Sequence, residues 1–110
     1  MGDPGAQASF APFTDANLSN VVWRNGFANG ATFDGGDLHR IDFRGTDLRS
    51  ASFVGTDLRY ARLDGVDLSD ADLTGANWRN ATGKSAAIYS NTTCPDGTNS
   101  DANGDTCVGH

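Results

Sequence analysis

From Phe13 to Ile88 a large apolar residue recurs at every fifth position, a period that neither an ordinary helix nor an ordinary strand can use. The series runs Phe13, Leu18, Trp23, Ala28, Phe33, Leu38, Phe43, Leu48, Phe53, Leu58, Leu63, Leu68, Leu73, Trp78, Gly83 and Ile88, and only Ala28 and Gly83 break it. Two residues before each stands a small or β-branched, uncharged residue, from Ala11, Ala16 and Val21 through to Ala81 and Ala86. A helix turns about 100° per residue, so a step of five rotates the apolar residue by about 140° and smears it round the cylinder. In an extended segment, positions two apart share a face, which suits the small and large pair. The next pair begins three residues on and would point outward, so the chain must bend once per unit. Asn20, Asn25, Gly30, Gly35, Gly45, Ser50, Gly55, Gly65, Gly75 and Asn80 stand at the bends.

If each bend is near a right angle, four units close a square and residues twenty apart stack. The sequence supports that longer period independently. Phe13, Phe33 and Phe53 fall in one column with Leu73 beneath, and Leu18, Leu38 and Leu58 form a second ending at Trp78. The expected fold is all-β, a β-helical solenoid. Residues 11–90 would supply sixteen units in about four coils, each rising roughly 4.8 Å. Residues 1–10 form a lead-in or N-terminal cap, and residues 91–110 a C-terminal disulfide loop that caps the other end. Units 26–30 and 81–85 depart from the pattern, so local distortion is expected at both.

The rest of the composition fits a turn-dense chain. All 14 acidic residues are Asp, and 14 residues are Gly. Asp, Asn and Gly favour turns over helix interiors. A length of 110 residues suits one small domain. No apolar run is long enough to cross a bilayer, and Met1-Gly2-Asp3-Pro4-Gly5 carries no signal-peptide pattern.

These residues resemble the pentapeptide-repeat family, whose motif reads A-(D/N)-L-x-x. Ala16-Asn17-Leu18, Ala71-Asp72-Leu73 and Ala76-Asn77-Trp78 match it closely, and Thr46-Asp47-Leu48 and Thr56-Asp57-Leu58 nearly so. The resemblance implies a right-handed quadrilateral β-helix. It also implies an alternative function, because members of the family are DNA mimics that bind gyrase.

Assigning units to four faces in turn locates the charge. The first face carries Asp15, Asp34 and Asp72 and sums to −3; the second carries Arg40, Arg59 and Arg79 against Asp37 and Asp57, summing to +1. The third sets Arg24, Arg44, Arg62 and Lys84 against Asp42 and Asp64 for +2, and the fourth sets Arg49 against Asp47, Asp67 and Asp70 for −2. A DNA mimic needs a long negative surface, which this split does not provide. Arg24, Arg44, Arg59, Arg62 and Arg79 mark an interaction surface instead. Their interleaving with Asp, without an aromatic platform, argues against nucleic acid. Cross-coil ion pairs such as Arg44 with Asp64 are the plainer expectation. Thr32, Ser52, Val54 and Thr74 make a partial row of the kind that binds ice, broken by Asp34 and Asp72.

In the tail, Cys94 and Cys107 bracket a polar, turn-rich loop and read as a disulfide, which points to an extracytoplasmic setting: secreted, periplasmic or lumenal. Zinc is the rival, and it lacks ligands beyond His39 and His110. A pinned loop would cover the unpaired edges of the last coil, with its apolar Trp78 and Ile88; Phe10, Pro12 and Phe13 would do the same at the other end. Asp96, Asp101, Asn103 and Asp105 alternate as hard oxygen ligands for calcium, an outline loosely similar to thrombospondin type 3 repeats, though no bidentate Glu follows.

No phosphate loop, dinucleotide fingerprint or nucleophile elbow occurs. His39, the one histidine of the repeat body, reads as a surface residue beside Asp37. Asn17, Asn80 and Asn91 begin glycosylation sequons. The expected function is therefore a non-catalytic structural or protein-interaction module with a protein partner, outside the cytoplasm. Gyrase binding and a calcium-stabilised extracellular module stand as alternatives, and the chain is expected to be a monomer or an end-to-end dimer.

Overall fold

The computed structural model describes residues 8–110, and their repeat body winds as a quadrilateral β-helix, with the tail folding back beyond it. Its strands are single-residue parallel bridges, because a bend every fifth residue leaves no room for longer ones. One face is the ladder Pro12, Thr32, Ser52, Asp72 and Thr93, and the next is Asn17, Asp37, Asp57 and Asn77. The third is Val22, Asp42, Arg62 and Thr82, and the fourth Phe27, Asp47, Asp67 and Ile88. Each rung is held from both sides: Phe33 N–H donates to the Ser52 carbonyl (2.7 Å), and Ser52 N–H donates to the Ala31 carbonyl (2.9 Å). The main chain is thereby satisfied coil by coil, as a buried backbone requires.

Every expected bend has a left-handed φ, from Asn20 (61°) to Asn80 (61°), and so do four that the composition hides: Asp15, Arg40, Tyr60 and Asp70. The core is the inward columns. Phe33 lies parallel between Phe13 and Phe53, with ring centroids 5.3 and 4.9 Å away. Leu73, Leu38 and Leu58 are buried, Leu18 and Trp78 lie at 9% exposure, and Phe13 is half-buried at the start of its column. Where the small inward position is Thr, its hydroxyl donates to a carbonyl of the preceding coil, Thr46 to Trp23 (2.5 Å) and Thr56 to Phe33 (2.8 Å).

The regular winding breaks at one of the two irregular units. Gly83 (φ 78°) leads into a 3-10 turn at Lys84–Ala86, and the chain spends one extra residue there. Asp67 then pairs with Ile88 and Asp72 with Thr93, a spacing of twenty-one in place of twenty. This corrects the placing of Ile88 in the core: it faces outward at 53% exposure, and Tyr89 is buried instead. Tyr89 packs edge-on against Trp78 and donates its hydroxyl to the Lys84 carbonyl (2.7 Å). Burial pushes the Tyr89 phenol up to about 12.

The slip also carries the stack past residue 90. Thr92 and Cys94 are buried below Ala71 and Leu73, and Gly75 N–H donates to the Pro95 carbonyl (2.9 Å). At the other end Ala8 N–H already donates to the Phe27 carbonyl (2.7 Å), so winding is under way before residue 11. Of the expected lead-in, residues 1–7 lie outside the described residues. Phe10 is a corner residue (φ 60°), 74% exposed, with its ring beside Gly30. Cys94 and Cys107 form the disulfide, and Thr93 turns back to pair antiparallel with Asn99. A 3-10 turn at Ser100–Asn103 follows, capped by the Asn99 side chain.

Candidate binding groove

Strand alternation that points Leu48 and Leu58 inward sets the residues on either side of them outward and next to each other. An Asp or Asn before the inward residue accepts the backbone N–H of the residue after it, as Asn17 does from Ser19 (3.1 Å) and Asp72 from Thr74 (3.0 Å). Where the accepting residue is Asp and that later residue is Arg, the pair closes into a fork. Asp42 takes Arg44 Nε and Nη2 at 2.9 and 2.8 Å, and Asp47 with Arg49 and Asp57 with Arg59 repeat the arrangement. These guanidinium bonds hold all three carboxyls below the usual carboxylate range. The forks thus run within a coil, and Arg44 bonds Asp42 rather than Asp64; a cross-coil ion pair forms instead between Arg24 and Asp42.

The five arginines of the expected interaction surface separate on this basis. Arg44 and Arg59 are locked in forks, and Arg24 stands 3.9 Å from Asp42. Arg62 and Arg79 make no ion pair among the described residues, and neither does Arg40. Arg40 lies instead over the ring of Tyr60, 4.8 Å from its centroid.

Arg40 and Arg62 share a groove of about 490 Å3 along the corner between the second and third faces. One wall is the corner column Asn20, Arg40, Tyr60 and Asn80; the other is the ladder Val22, Asp42, Arg62 and Thr82. All four corner residues have φ of 61° or 62°. Two adjacent corners use Gly at Gly35, Gly55 and Gly75 and at Gly45 and Gly65, where the conformation is free of Cβ strain. Here two bulky side chains occupy it, at a cost of order 1 kcal/mol each. Sequence reasoning placed Arg40 only as a face charge and passed over Tyr60. The signal was available, since both stand in a column of bend positions. A smaller hollow of about 200 Å3 lies on the opposite corner, lined by Phe10, Asn29, Gly30, Arg49, Ser50 and Asp70.

Other candidate sites resolve differently. The partial ice-like row is tied up internally: Ser52 Oγ donates to Asp34 (2.5 Å), and Thr74 Oγ1 donates to Asp72 (2.6 Å). The tail carboxylates do not converge. Asp96 accepts from Thr98 and contacts His110 Nδ1 (3.0 Å), while Asp101 accepts the Asn91 N–H (2.9 Å). Asn103 donates to Thr98 Oγ1 (2.7 Å), and Asp105 is exposed. Among the described residues one group of three acidic or histidine residues brings its ligand atoms within 4.8 Å of one another, Asp37, His39 and Asp57. There His39 Nδ1 lies 2.7 Å from Asp37, whose carboxyl the contact holds low, and Asp57 is already held by Arg59. No helix of the described residues is long and apolar enough to cross a membrane.

The family model for pentapeptide repeats matches in eight copies over residues 11–49, 29–63, 51–82 and 61–88. Among solved structures, the chain is similar to HetL, a pentapeptide repeat protein involved in heterocyst differentiation regulation from the cyanobacterium Nostoc sp. strain PCC 7120. The TM-score is 0.76 at 30% identity, covering 84% of this chain and 42% of HetL. A pentapeptide repeat protein from the cyanobacterium Cyanothece 51142 also gives 0.76, at 16% identity, covering 79% of this chain and 59% of that one. The chain therefore spans about half the length of these relatives. No curated protein sequence matches it.

Proposed function

The chain belongs to the pentapeptide-repeat family, whose members fold as right-handed quadrilateral β-helices, and on that footing we propose that it is a non-catalytic interaction module of an oxidising compartment outside the cytoplasm. In this reading a stack of about four coils, closed by the disulfide-linked tail, presents its corner groove to a protein partner. The observation that carries it is the groove itself, a concavity on a closely packed scaffold, walled along successive coils by the side chains of the corner column and of the third ladder. The buried Cys94–Cys107 bridge supports the compartment, since such bonds form where thiols are not kept reduced.

The test is site-specific photo-crosslinking in the source cells, with a benzophenone side chain at Asn80 on the groove or at Ser50 on the opposite corner. One protein adduct formed from Asn80 and absent from Ser50 is expected, together with a Cys94–Cys107 bond that resists alkylation. Equal adducts from both positions, or none from Asn80, would refute the reading. Two free thiols in the native compartment would refute its location.

A further inference from the structure

Resting on that reading, we propose that the corner groove takes an extended, acidic peptide segment of its partner. The charges at the groove are unequal in what they have left to give. Asp42 is 7% exposed and spent, with both oxygens on Arg44 and a third contact from Arg24. Arg62 is exposed and has no carboxylate within ion-pairing distance among the described residues. Arg40 lies over Tyr60 with Cζ 4.8 Å from the ring centroid, a cation–π contact that uses no carboxylate, so its guanidinium N–H groups can still take one in a fork. The groove's unspent charge is therefore positive.

Its surroundings agree. The two faces that meet at this corner sum to +3, and the two that meet at the opposite corner sum to −5. The net acid of the repeat faces does not repel an acidic ligand here, because it lies on the far side and the Debye length at physiological salt is only about 8 Å. The lining also sets the size of the occupant. Asn20, Arg40, Tyr60 and Asn80 lie on successive coils, three steps of roughly 4.8 Å, so the groove holds about four or five residues at ~3.3 Å each. Asn20 and Asn80 at its two ends offer amides to the peptide backbone, as extended-chain recognition needs. In an extended segment alternate side chains share one side, so acids two apart both face the arginines.

Fluorescence anisotropy decides the question, with a labelled peptide of about five residues that alternates Glu with Ala. The all-Gln analogue, an oligothymidylate of equal charge and unlabelled protein serve as the other arms. Arg62→Ala and Arg40→Asn remove the two free guanidiniums, and Asn tolerates the left-handed corner, so thermal melts should show both variants folded. Arg49→Ala, in the opposite hollow, is the control. The proposal expects the Glu peptide to bind, each groove variant to weaken it about tenfold, and Arg49→Ala and the Gln analogue to show no comparable contribution. It is overturned if the Glu peptide does not bind, or if Arg49→Ala costs as much as Arg62→Ala. Tighter binding of the oligothymidylate would overturn it in favour of a nucleic acid. Self-association lost in Arg62→Ala would do so in favour of a second copy. None of these results depends on whether the crosslink from Asn80 finds a partner, so the two proposals fail separately.

Discussion

Replacing Phe33 probes how the solenoid is held together. Its ring is fully buried between Phe13 and Phe53, parallel to both within 10°, and meets Phe43 edge-on at 5.7 Å. Phe33→Ala removes a buried aromatic and leaves a cavity between two coils that hydrogen bonds keep in register, so the site cannot collapse. The expected cost is about 4 kcal/mol. At about 4–8 °C per kcal/mol for a domain near this size, the melting temperature should fall by roughly 15–30 °C. Phe13 is half-buried and stacks on one side only, so Phe13→Ala should cost less than half as much. Phe33→Leu fills most of the volume but loses both ring stacks, each worth about 0.5–1.5 kcal/mol beyond its area, for a total of about 1–3 kcal/mol. Urea unfolding followed by far-UV circular dichroism measures all three, and the Leu variant keeps the comparison usable if Ala prevents folding. Equal losses at Phe13 and Phe33 would refute the reasoning, because stability would then not be a sum over coil-on-coil contacts.

Three further outcomes follow from single interactions. Reducing the Cys94–Cys107 bond, or making Cys94→Ser with Cys107→Ser, should cost roughly 3 kcal/mol through a closed loop of 14 residues, read as a fall in melting temperature with and without reductant. Thr56→Val should cost about 1 kcal/mol in urea melts by removing the hydroxyl bond to the Phe33 carbonyl. The forks depress the folded-state pKa of Asp42, Asp47 and Asp57, so the unfolded chain binds more protons as the pH falls toward about 4. Stability from the forks is present above that value and is lost as the pH falls through the folded pKa values below it. Melting temperature plotted against pH should drop there, with a shallower drop in Arg44→Ala.

The five-residue period was enough for the fold, since it excludes a helix and a flat strand and leaves a bend per unit as the way to keep small and large residues inside. The twenty-residue columns were legible for the same reason: Phe33 and Phe53 are alike because they touch. Most bends announced themselves as Gly, Asn or Ser. Arg40 and Tyr60 did not, because the winding of the neighbouring coils forces the left-handed conformation on whatever residue the register places there.

What the tertiary structure alone decided lies where the local pattern permits two answers. Ala86 and Ala87 are both small, and Ile88 and Tyr89 are both apolar, so either pair satisfies the repeat. The fold selects Tyr89, whose ring reaches Trp78 and whose hydroxyl reaches the Lys84 carbonyl, and the extra residue is absorbed at Gly83 and the turn beyond it. That one-residue slip brings Cys94 beneath Leu73 and joins the tail to the stack. Charge pairing was decided in the same way. Sequence gives the sign of each outward residue, but whether Arg44 serves Asp42 or Asp64 depends on the spacing of neighbours on one outer strand against the spacing between coils. The pairs that formed leave Arg40 and Arg62 as the guanidiniums open in the groove.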